Sequence, residues 1–209
     1  HVSAICAPGD TRSLSTPTFF TTACAPTLAP INENFDSGFS PCWSQDIIND
    51  DFDWELEDGG TPSNGTGPDD DVSIGGNYMY TEASAPRQDG DFAIMYSEEI
   101  DLSTLTNPEI RFYTHMYGSA IGELQVDVFD NGSYTTIFNK IGEQVDAWVE
   151  EVILINPTST IVHFRITGIL GVNANGDTWP GDIAIDEFSV VEAIANDIEV
   201  SNTIMMSNC

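Results

Sequence analysis

Short apolar runs with an alternating or β-branched pattern recur along this chain, and turn signals separate them at roughly ten-residue spacing. Neighbouring side chains of a strand point to opposite faces, so this pattern is typical of half-buried strands. No window keeps a helical periodicity for more than about two turns. The pattern predicts an all-β fold, an antiparallel β-sandwich or jelly roll. The predicted strands cover residues 78–82, 92–97, 110–117, 124–130, 134–140, 148–154, 161–167 and 183–191.

Two local patterns support this fold. Asp130, Asn131 and Gly132 separate two of the runs, and Asn and Gly tolerate the positive φ angles of a tight hairpin turn. In the run DDFDW (50–54), aromatic residues alternate with carboxylates, which is typical of a strand whose rings point inward. The carboxylates of this run could form a solvated acidic face or part of a cation site.

The two ends of the chain differ in composition from its centre. Residues 1–30 are rich in Thr, Ser, Pro and Ala, and we interpret them as an extended N-terminal segment or linker. Residues 31–193 form the predicted sandwich. Residues 194–209 contain one more apolar run, which indicates an extra C-terminal strand or the start of a following unit. An unpaired strand can complete the sheet of a neighbouring molecule, so a self-polymerising subunit is one expectation.

The chain is strongly acidic, because 34 Asp and Glu residues against 5 Lys and Arg residues give a net charge of −29. Such a surface repels phosphate groups, so we expect no nucleic-acid partner. No apolar run reaches the roughly 18 residues that a membrane-spanning helix needs, so we expect no membrane insertion. The charge suits calcium, cationic partners or a salty medium, and a purely solvating surface is the alternative.

The four cysteines, Cys6, Cys24, Cys42 and Cys209, stand at wide spacing, without a Cys-x-x-Cys motif or companion histidines. This favours disulfides over a zinc site and indicates an oxidising compartment, that is, a secreted or cell-surface protein. The residues alone leave every pairing of the four open. The sequence shows no initiator Met and no signal peptide, so we expect a mature secreted protein or a piece of a longer one.

Seven motifs follow one another along the centre of the chain, namely NFDSGFSPCWSQD (34–46), DDFDW (50–54), TPSNGTGPDDD (61–71), GGNYMYTEASAPRQDGDFAIMYS (75–97), IRFYTHMYGSAIGELQV (110–126), GEQVDAWVEE (142–151) and GDIAIDEFSV (181–190). Together they resemble the MAM domain, the extracellular β-sandwich module of meprins, neuropilins and receptor tyrosine phosphatases. The resemblance covers residues 34–192. It implies that Trp54 packs in the core, that residues 61–68 cross the sandwich surface, and that the role is adhesion without catalysis.

The cysteines depart from the family pattern. MAM domains usually carry one cysteine just before the first strand and another before the IRF-like strand, where this chain has Asn34 and Glu109. The resemblance therefore implies that Cys42, which keeps its family position, lacks its usual partner, and Cys24 is the candidate substitute. Cys6 and Cys209 could pair with each other or with units outside this sequence.

A calcium site is a further expectation. Similar jelly-roll modules often hold a structural calcium between the first strand, a Gly-Asp turn and the last strand, and the matching positions are Asp36, Asp91 and Asp186. Calcium binds carboxylate and carbonyl oxygens, and no EF-hand loop supplies them here. The alternative is a set of surface carboxylates at strand ends. A weaker second ion could lie at Asp69, Asp70 and Asp71.

The function expected from these observations is binding rather than catalysis. The sequence contains no GxSxG, HExxH or phosphate-binding glycine motif, and its histidines, His1, His115 and His163, are isolated. We expect no enzyme but an adhesion module that binds protein partners or its own copies. The alternative is a carbohydrate-binding module of a larger secreted enzyme or adhesin, in which exposed aromatic rings stack on sugars. Trp179, in a turn-rich loop, is the candidate ring expected to be most exposed, and the others are Tyr113, Tyr117, Tyr134 and Trp148.

Overall fold

The computed structural model describes residues 24–194, which contain thirteen strands and no helix. The strands are β1 (Thr27–Leu28), β2 (Ile31–Glu33), β3 (Ser44–Gln45), β4 (Glu55–Glu57), β5 (Tyr78–Thr81), β6 (Phe92–Tyr96), β7 (Ile100–Asp101), β8 (Pro108–His115), β9 (Glu123–Asp130), β10 (Ser133–Ile141), β11 (Val149–Leu154), β12 (Ile161–Ile169) and β13 (Ile183–Glu192).

Two sheets form the layers of a sandwich. One has the order β1-β7-β12-β6-β3, with β9 also paired to β12 and β10 paired to β9. The other has the order β11-β8-β13-β5-β4, and β2 pairs with β13. All pairings are antiparallel except the two-residue parallel pairing of β1 with β7. The predicted antiparallel β-sandwich is therefore confirmed.

The core lies between the sheets and is rich in aromatic rings. Trp43 sits between Phe35 and Phe188, with ring centroids 5.4 Å from each and planes nearly perpendicular. Phe112 stacks on Phe188 from the neighbouring strand β8. Edge-to-face pairs of this kind contribute roughly 0.5–1.5 kcal/mol each beyond the burial of their area. They link β8 and β13 to the segment between β2 and β3.

All eight predicted strands are present, with ends shifted by no more than a few residues. The hairpin predicted at residues 130–132 joins β9 to β10, and both Asn131 and Gly132 have the expected positive φ. The five strands of two or three residues that the sequence did not reveal are too short to show a period. They are β1, β2, β3, β4 and β7.

The DDFDW run is only partly as predicted. Phe52 and Trp54 are buried and the alternating Asp51, Asp53 and Glu55 are exposed, as the pattern indicates. The run itself is not a strand, because β4 begins at Glu55 and Phe52 forms only an isolated bridge to Ala93. Local contacts explain this, since carboxylates rather than backbone carbonyls of the run accept from the amides of β6.

The disulfide Cys24–Cys42 is present, with Cα atoms 5.7 Å apart, so the predicted pair is confirmed. It ties the start of the described chain to the loop before β3. Strand β1 lies inside the segment predicted as a linker (1–30), because Thr27 and Leu28 pair with β7. The rest of that segment up to residue 23, the predicted C-terminal strand, Cys6 and Cys209 lie outside the described residues.

Candidate functional site

Three carboxylates, which we call the Asp36–Asp71–Asp186 cluster, are connected through the loop between β4 and β5. Asp36 follows β2, Asp71 lies in the loop between β4 and β5, and Asp186 stands in β13 where a β-bulge interrupts the pairing with β8. A Cβ atom placed on Gly76 would overlap the Asp36 carboxylate and lie 2.6 Å from Asp71 Oδ2. The missing side chain of Gly76 therefore leaves the space that these two carboxylates share.

Backbone amides hold the cluster in place. Asp186 Oδ2 accepts a hydrogen bond from Val72 N at 3.1 Å, which fixes the residue after Asp71 against β13. Asp36 Oδ1 accepts from Asn77 N at 3.0 Å, at the end of the same loop. The loop between β4 and β5 is thus fastened at two points to the ends of β2 and β13.

The electrostatics of the cluster are unfavourable for three ionised groups. Burial, with the neighbouring charges of Glu187 and Asp71, raises the pKa of Asp186 to about 7. Burial also raises the pKa of Asp71, but hydrogen bonds from Ser73 and Gly76 outweigh it and leave this pKa below its ordinary value. Asp71 therefore stays ionised beside a carboxyl that burial drives toward its neutral form.

One atom of the cluster suggests a ligand. Asp71 Oδ1 is buried and accepts no hydrogen bond from the described residues. A buried carboxylate oxygen normally has a partner, and a hard cation is one that fits oxygen donors. Within residues 24–194, no three His, Cys, Asp or Glu side chains already stand in the arrangement of a metal-ligand set. The chemistry of the donors fits calcium, and Asp36, Asp71 and Asp186 are the residues that would hold it.

The structure regroups the carboxylates that the sequence singled out. Asp91 lies in the turn before β6 of the seven-stranded sheet, where its carboxylate accepts from Gln88 N at 2.8 Å. Asp71 faces Asp36 across Gly76, and together with Asp69 and Asp70 it also borders a depression of about 270 Å³. Asp70 Oδ1 accepts from Gly75 N at 3.0 Å and shapes the loop, and Asp69 is exposed.

Trp179 lies beside a depression of about 420 Å³ in the loop between β12 and β13. Its side chain is 43% exposed, and polar groups of Arg87, Gln88 and Asp177 share the depression. The Arg87 guanidinium stacks on Phe52 at 4.3 Å, and its buried Nε has no hydrogen-bond partner among the described residues. This arrangement places an accessible indole next to groups that can bind hydroxyls.

A turn that sequence reasoning missed exposes two adjacent isoleucines. Ile47 and Ile48, which we call the Ile47–Ile48 prong, are 85% and 83% exposed. Asp46 accepts hydrogen bonds from the amides of Ile48 and Asn49, at 2.8 Å each, and from the Tyr96 hydroxyl at 2.7 Å. These contacts, the Tyr96 bond first, hold the pKa of Asp46 well below its usual range. The Asp-x-x-Asn spacing is a turn signal, but the bond to Tyr96 could not be read from it.

Two of the isolated histidines, His115 and His163, occupy packed positions, and His1 lies outside the described residues. His115 is buried, with Nε2 3.4 Å from Asp146, and burial lowers its pKa. His163 is half-buried, and burial lowers its pKa as well. Within the described residues, no helix has the length and apolar character needed to cross a membrane.

The chain is similar in sequence to one domain of several larger proteins. Residues 34–193 match the family described as MAM domain, meprin/A5/mu. The human MAM domain-containing glycosylphosphatidylinositol anchor protein 2 is 32% identical over 184 residues, which cover 80% of this chain and 18% of that protein. The zebrafish (Danio rerio) protein Neuropilin-1a is 25% identical over 157 residues, 68% of this chain and 15% of its own length. The chain therefore spans less than a fifth of these relatives.

Solved structures share the fold at low sequence identity. The K1 cleaved adhesin domain of Lys-gingipain from Porphyromonas gingivalis W83 has a TM-score of 0.53 at 14% identity, over 79% of this chain and 99% of that domain. TmCBM61 in complex with β-1,4-galactotriose has a TM-score of 0.50 at 15% identity, over 77% and 94%. Because the family match spans most of the sandwich, the chain belongs to the MAM domain family.

Proposed function

We propose that this domain is a non-catalytic extracellular adhesion module that contacts other proteins, its own copies being the first candidates. The observation that supports this role best is the Ile47–Ile48 prong. Adjacent isoleucines in water are unfavourable, and burial of each in an interface would contribute roughly 1.5–3 kcal/mol. The Asp46 hydrogen bonds already fix the turn. Binding of a partner would therefore cost little conformational entropy at the prong.

The similar proteins agree with this role. Two curated relatives are named as glycosylphosphatidylinositol anchor proteins, and one structural neighbour is an adhesin domain. A place at the cell surface or in a secreted protein also suits the Cys24–Cys42 disulfide, since such bonds persist in oxidising compartments.

Aggregation of beads coated with the protein tests the prong. Ile47→Ser with Ile48→Ser should reduce the aggregation rate about tenfold or more, because a loss of 1.4 kcal/mol already lowers affinity tenfold. Ile141→Ser with Ile194→Ser is the matched control, since these isoleucines are also exposed but lie elsewhere. Equal aggregation by both double variants would contradict a contact through the prong.

We further propose that calcium stabilises the domain at the Asp36–Asp71–Asp186 cluster. The raised pKa of Asp186 and the unpartnered Asp71 Oδ1 support this, because a cation between the carboxylates would relieve both costs. Calcium would supply positive charge only, and the chain's own hydrogen bonds from Val72 and Asn77 would orient the carboxylates.

A second candidate function is carbohydrate binding at Trp179. The exposed indole beside Arg87 and Asp177 supports it, since aromatic faces stack on sugar rings and charged groups bind their hydroxyls. Trp179→Ala should abolish binding on a glycan array while the melting temperature stays unchanged. If no glycan binds the wild type, this candidate fails.

A further inference from the structure

A second depression, of about 720 Å³, lies over the outer face of the seven-stranded sheet, and we call it the aromatic depression. Tyr96 of β6, Tyr134 of β10 and His163 of β12 line it. His163 alternates with the buried Val162 and Phe164, so it faces away from the core. The Cys24–Cys42 disulfide, Glu98 and Glu99 also border it.

Three of the four polar atoms of these rings already make hydrogen bonds within the protein. The Tyr96 hydroxyl donates to Asp46 Oδ2 at 2.7 Å. The Tyr134 hydroxyl and His163 Nε2 share a hydrogen bond of 2.9 Å. A ligand that needs many hydrogen bonds, such as a sugar, would find few free partners on these rings. What they can offer is aromatic surface, because all three side chains are only half-buried.

The charges around the depression favour a positive ligand. Glu99 is exposed and Glu98 half-buried, and both border the depression. The nearby Arg165 is neutralised by Asp127 at 2.8 Å, and its guanidinium lies 4.1 Å from the centre of the Tyr134 ring. One cation thus already lies over the Tyr134 ring, in the geometry of a cation–π contact.

Basic groups of the described chain are committed elsewhere, so the ligand must come from outside residues 24–194. Each of the four Lys and Arg side chains in this range stacks on a ring or pairs with a carboxylate. The contacts are Arg87 with Phe52, Arg111 with Glu109, Lys140 with Glu151, and Arg165 with Asp127.

We infer that the aromatic depression binds an Arg or Lys side chain presented by a partner protein. The inference rests on the proposed adhesion function and names the chemistry of a partner other than a copy of this chain, since the described basic side chains of a copy make the same contacts. The ring faces provide the cation–π contact, and Glu98 and Glu99 supply the opposite charge. The net charge of −29 would draw a basic partner toward this surface before contact.

The test uses the full chain and the peptide acetyl-Gly-Ser-Arg-Ser-Gly-amide, followed by nuclear magnetic resonance titration. The same peptide with citrulline in place of Arg is the neutral control. We expect weak binding, about millimolar, for the Arg peptide and at least tenfold weaker binding for the citrulline peptide. Binding of both peptides with equal affinity would overturn the inference.

Matched variants separate the depression from the general negative charge. Glu98→Gln with Glu99→Gln should weaken Arg-peptide binding several-fold more than Glu55→Gln with Glu143→Gln, which removes the same charge at exposed sites elsewhere. Tyr134→Leu should weaken it roughly three- to tenfold, whereas Tyr134→Phe, which keeps the ring, should retain it. Equal effects of the two Glu pairs would overturn the inference, as would full retention in a folded Tyr134→Leu variant.

Two further outcomes reassign the depression and would also overturn a basic partner as its occupant. One is displacement of the Arg peptide by a neutral oligosaccharide, β-1,4-galactotriose. The other is peptide binding that appears only after Arg12→Gln, which would make the chain's own Arg12 the occupant. Bead aggregation measured on the same samples distinguishes this inference from the proposed adhesion function. Aggregation without peptide binding would contradict the basic partner and leave the adhesion function standing.

Discussion

At the scale of single residues, Asp71 determines which carboxylates of the loop between β4 and β5 can act together. The sequence grouped it with Asp69 and Asp70, because the three are consecutive. The structure turns it inward toward Asp36 and Asp186, since Ser73 N and Ser73 Oγ donate to its Oδ2. The sequence predicted Asp36 and Asp186 as members of one site. It could not predict that Asp71 joins them, because the orientation of its side chain depends on the turn at Ser73.

The regrouping leads to a prediction about calcium. Calcium at about a hundred times its dissociation constant should stabilise the wild type by about 2.7 kcal/mol, or roughly 5–10 °C in melting temperature. Asp71→Asn should remove at least half of this shift, whereas Asp91→Asn, in the other sheet, should leave it unchanged. Differential scanning calorimetry in calcium and in chelator measures both. A shift lost with Asp91 and kept with Asp71 would contradict the regrouping.

Asp182 gives the fold a pH dependence. Its side chain is fully buried, Oδ1 accepts from Ala83 N at 3.1 Å, and Oδ2 has no partner among the described residues. Burial raises the pKa of Asp182 to about 7. Because the folded protein then holds this proton more tightly than the unfolded chain, the stabilisation is complete below pH about 4. It is lost as the pH rises through about 7.

Asp182→Asn cannot titrate but keeps an oxygen acceptor for Ala83 N. We therefore expect the free energy of unfolding of the wild type, relative to this variant, to fall by about 2–3 kcal/mol from pH 5 to pH 8. Urea unfolding at both pH values, in chelator, measures the difference. The control is Asp53→Asn at an exposed carboxylate, and because this variant keeps Asp182, its free energy of unfolding should fall with pH as that of the wild type does. An unchanged difference for Asp182→Asn would refute the assignment.

At the scale of elements, the long strands could be predicted and the short ones could not. Strands such as β9 and β12 alternate over eight or nine residues, so their period is visible in the sequence. Strands such as β3 and β4 exist because a longer neighbour supplies their hydrogen bonds. The Ile47–Ile48 prong likewise could not be predicted, because its turn is stabilised by the Tyr96 hydroxyl from a strand distant in sequence.

The DDFDW run shows how side chains replace a strand. Asp51 Oδ2 accepts from Phe92 N at 3.1 Å, and Asp50 Oδ2 accepts from Ile94 N at 3.0 Å. These carboxylates bond the two amides of β6 where β3 no longer pairs with it. Asp51 and Asp53 are exposed, as a solvated face requires, but Asp50 and Asp51 also accept hydrogen bonds from β6.

Removal of one such acceptor should destabilise the edge of the sheet. Asp50→Ala should lower the free energy of unfolding by about 1–3 kcal/mol, because it leaves the amide of Ile94 without its acceptor. Asp53→Ala should change it by no more than about 0.5 kcal/mol, as is usual for exposed sites. Chemical denaturation measures the free energy of unfolding of both variants. Equal losses in the two would show that the hydrogen bond from Ile94 N to Asp50 does not stabilise the fold.

At the scale of the whole molecule, three of the candidate binding sites lie on separate loops of the sandwich. The Ile47–Ile48 prong, the Trp179 depression and the cluster at Asp71 involve different loops. The strong net negative charge opposes close approach of two copies unless a cation screens or bridges them. Self-contact of this domain should therefore depend on calcium as well as on the prong.

Light scattering of the purified protein, in calcium and then in chelator at matched ionic strength, is the most direct test of a calcium-stabilised adhesion module. We predict assemblies in calcium that shrink in chelator, and no assemblies in calcium for Ile47→Ser with Ile48→Ser. A wild type that is monomeric in both buffers would contradict self-contact as the role of this domain.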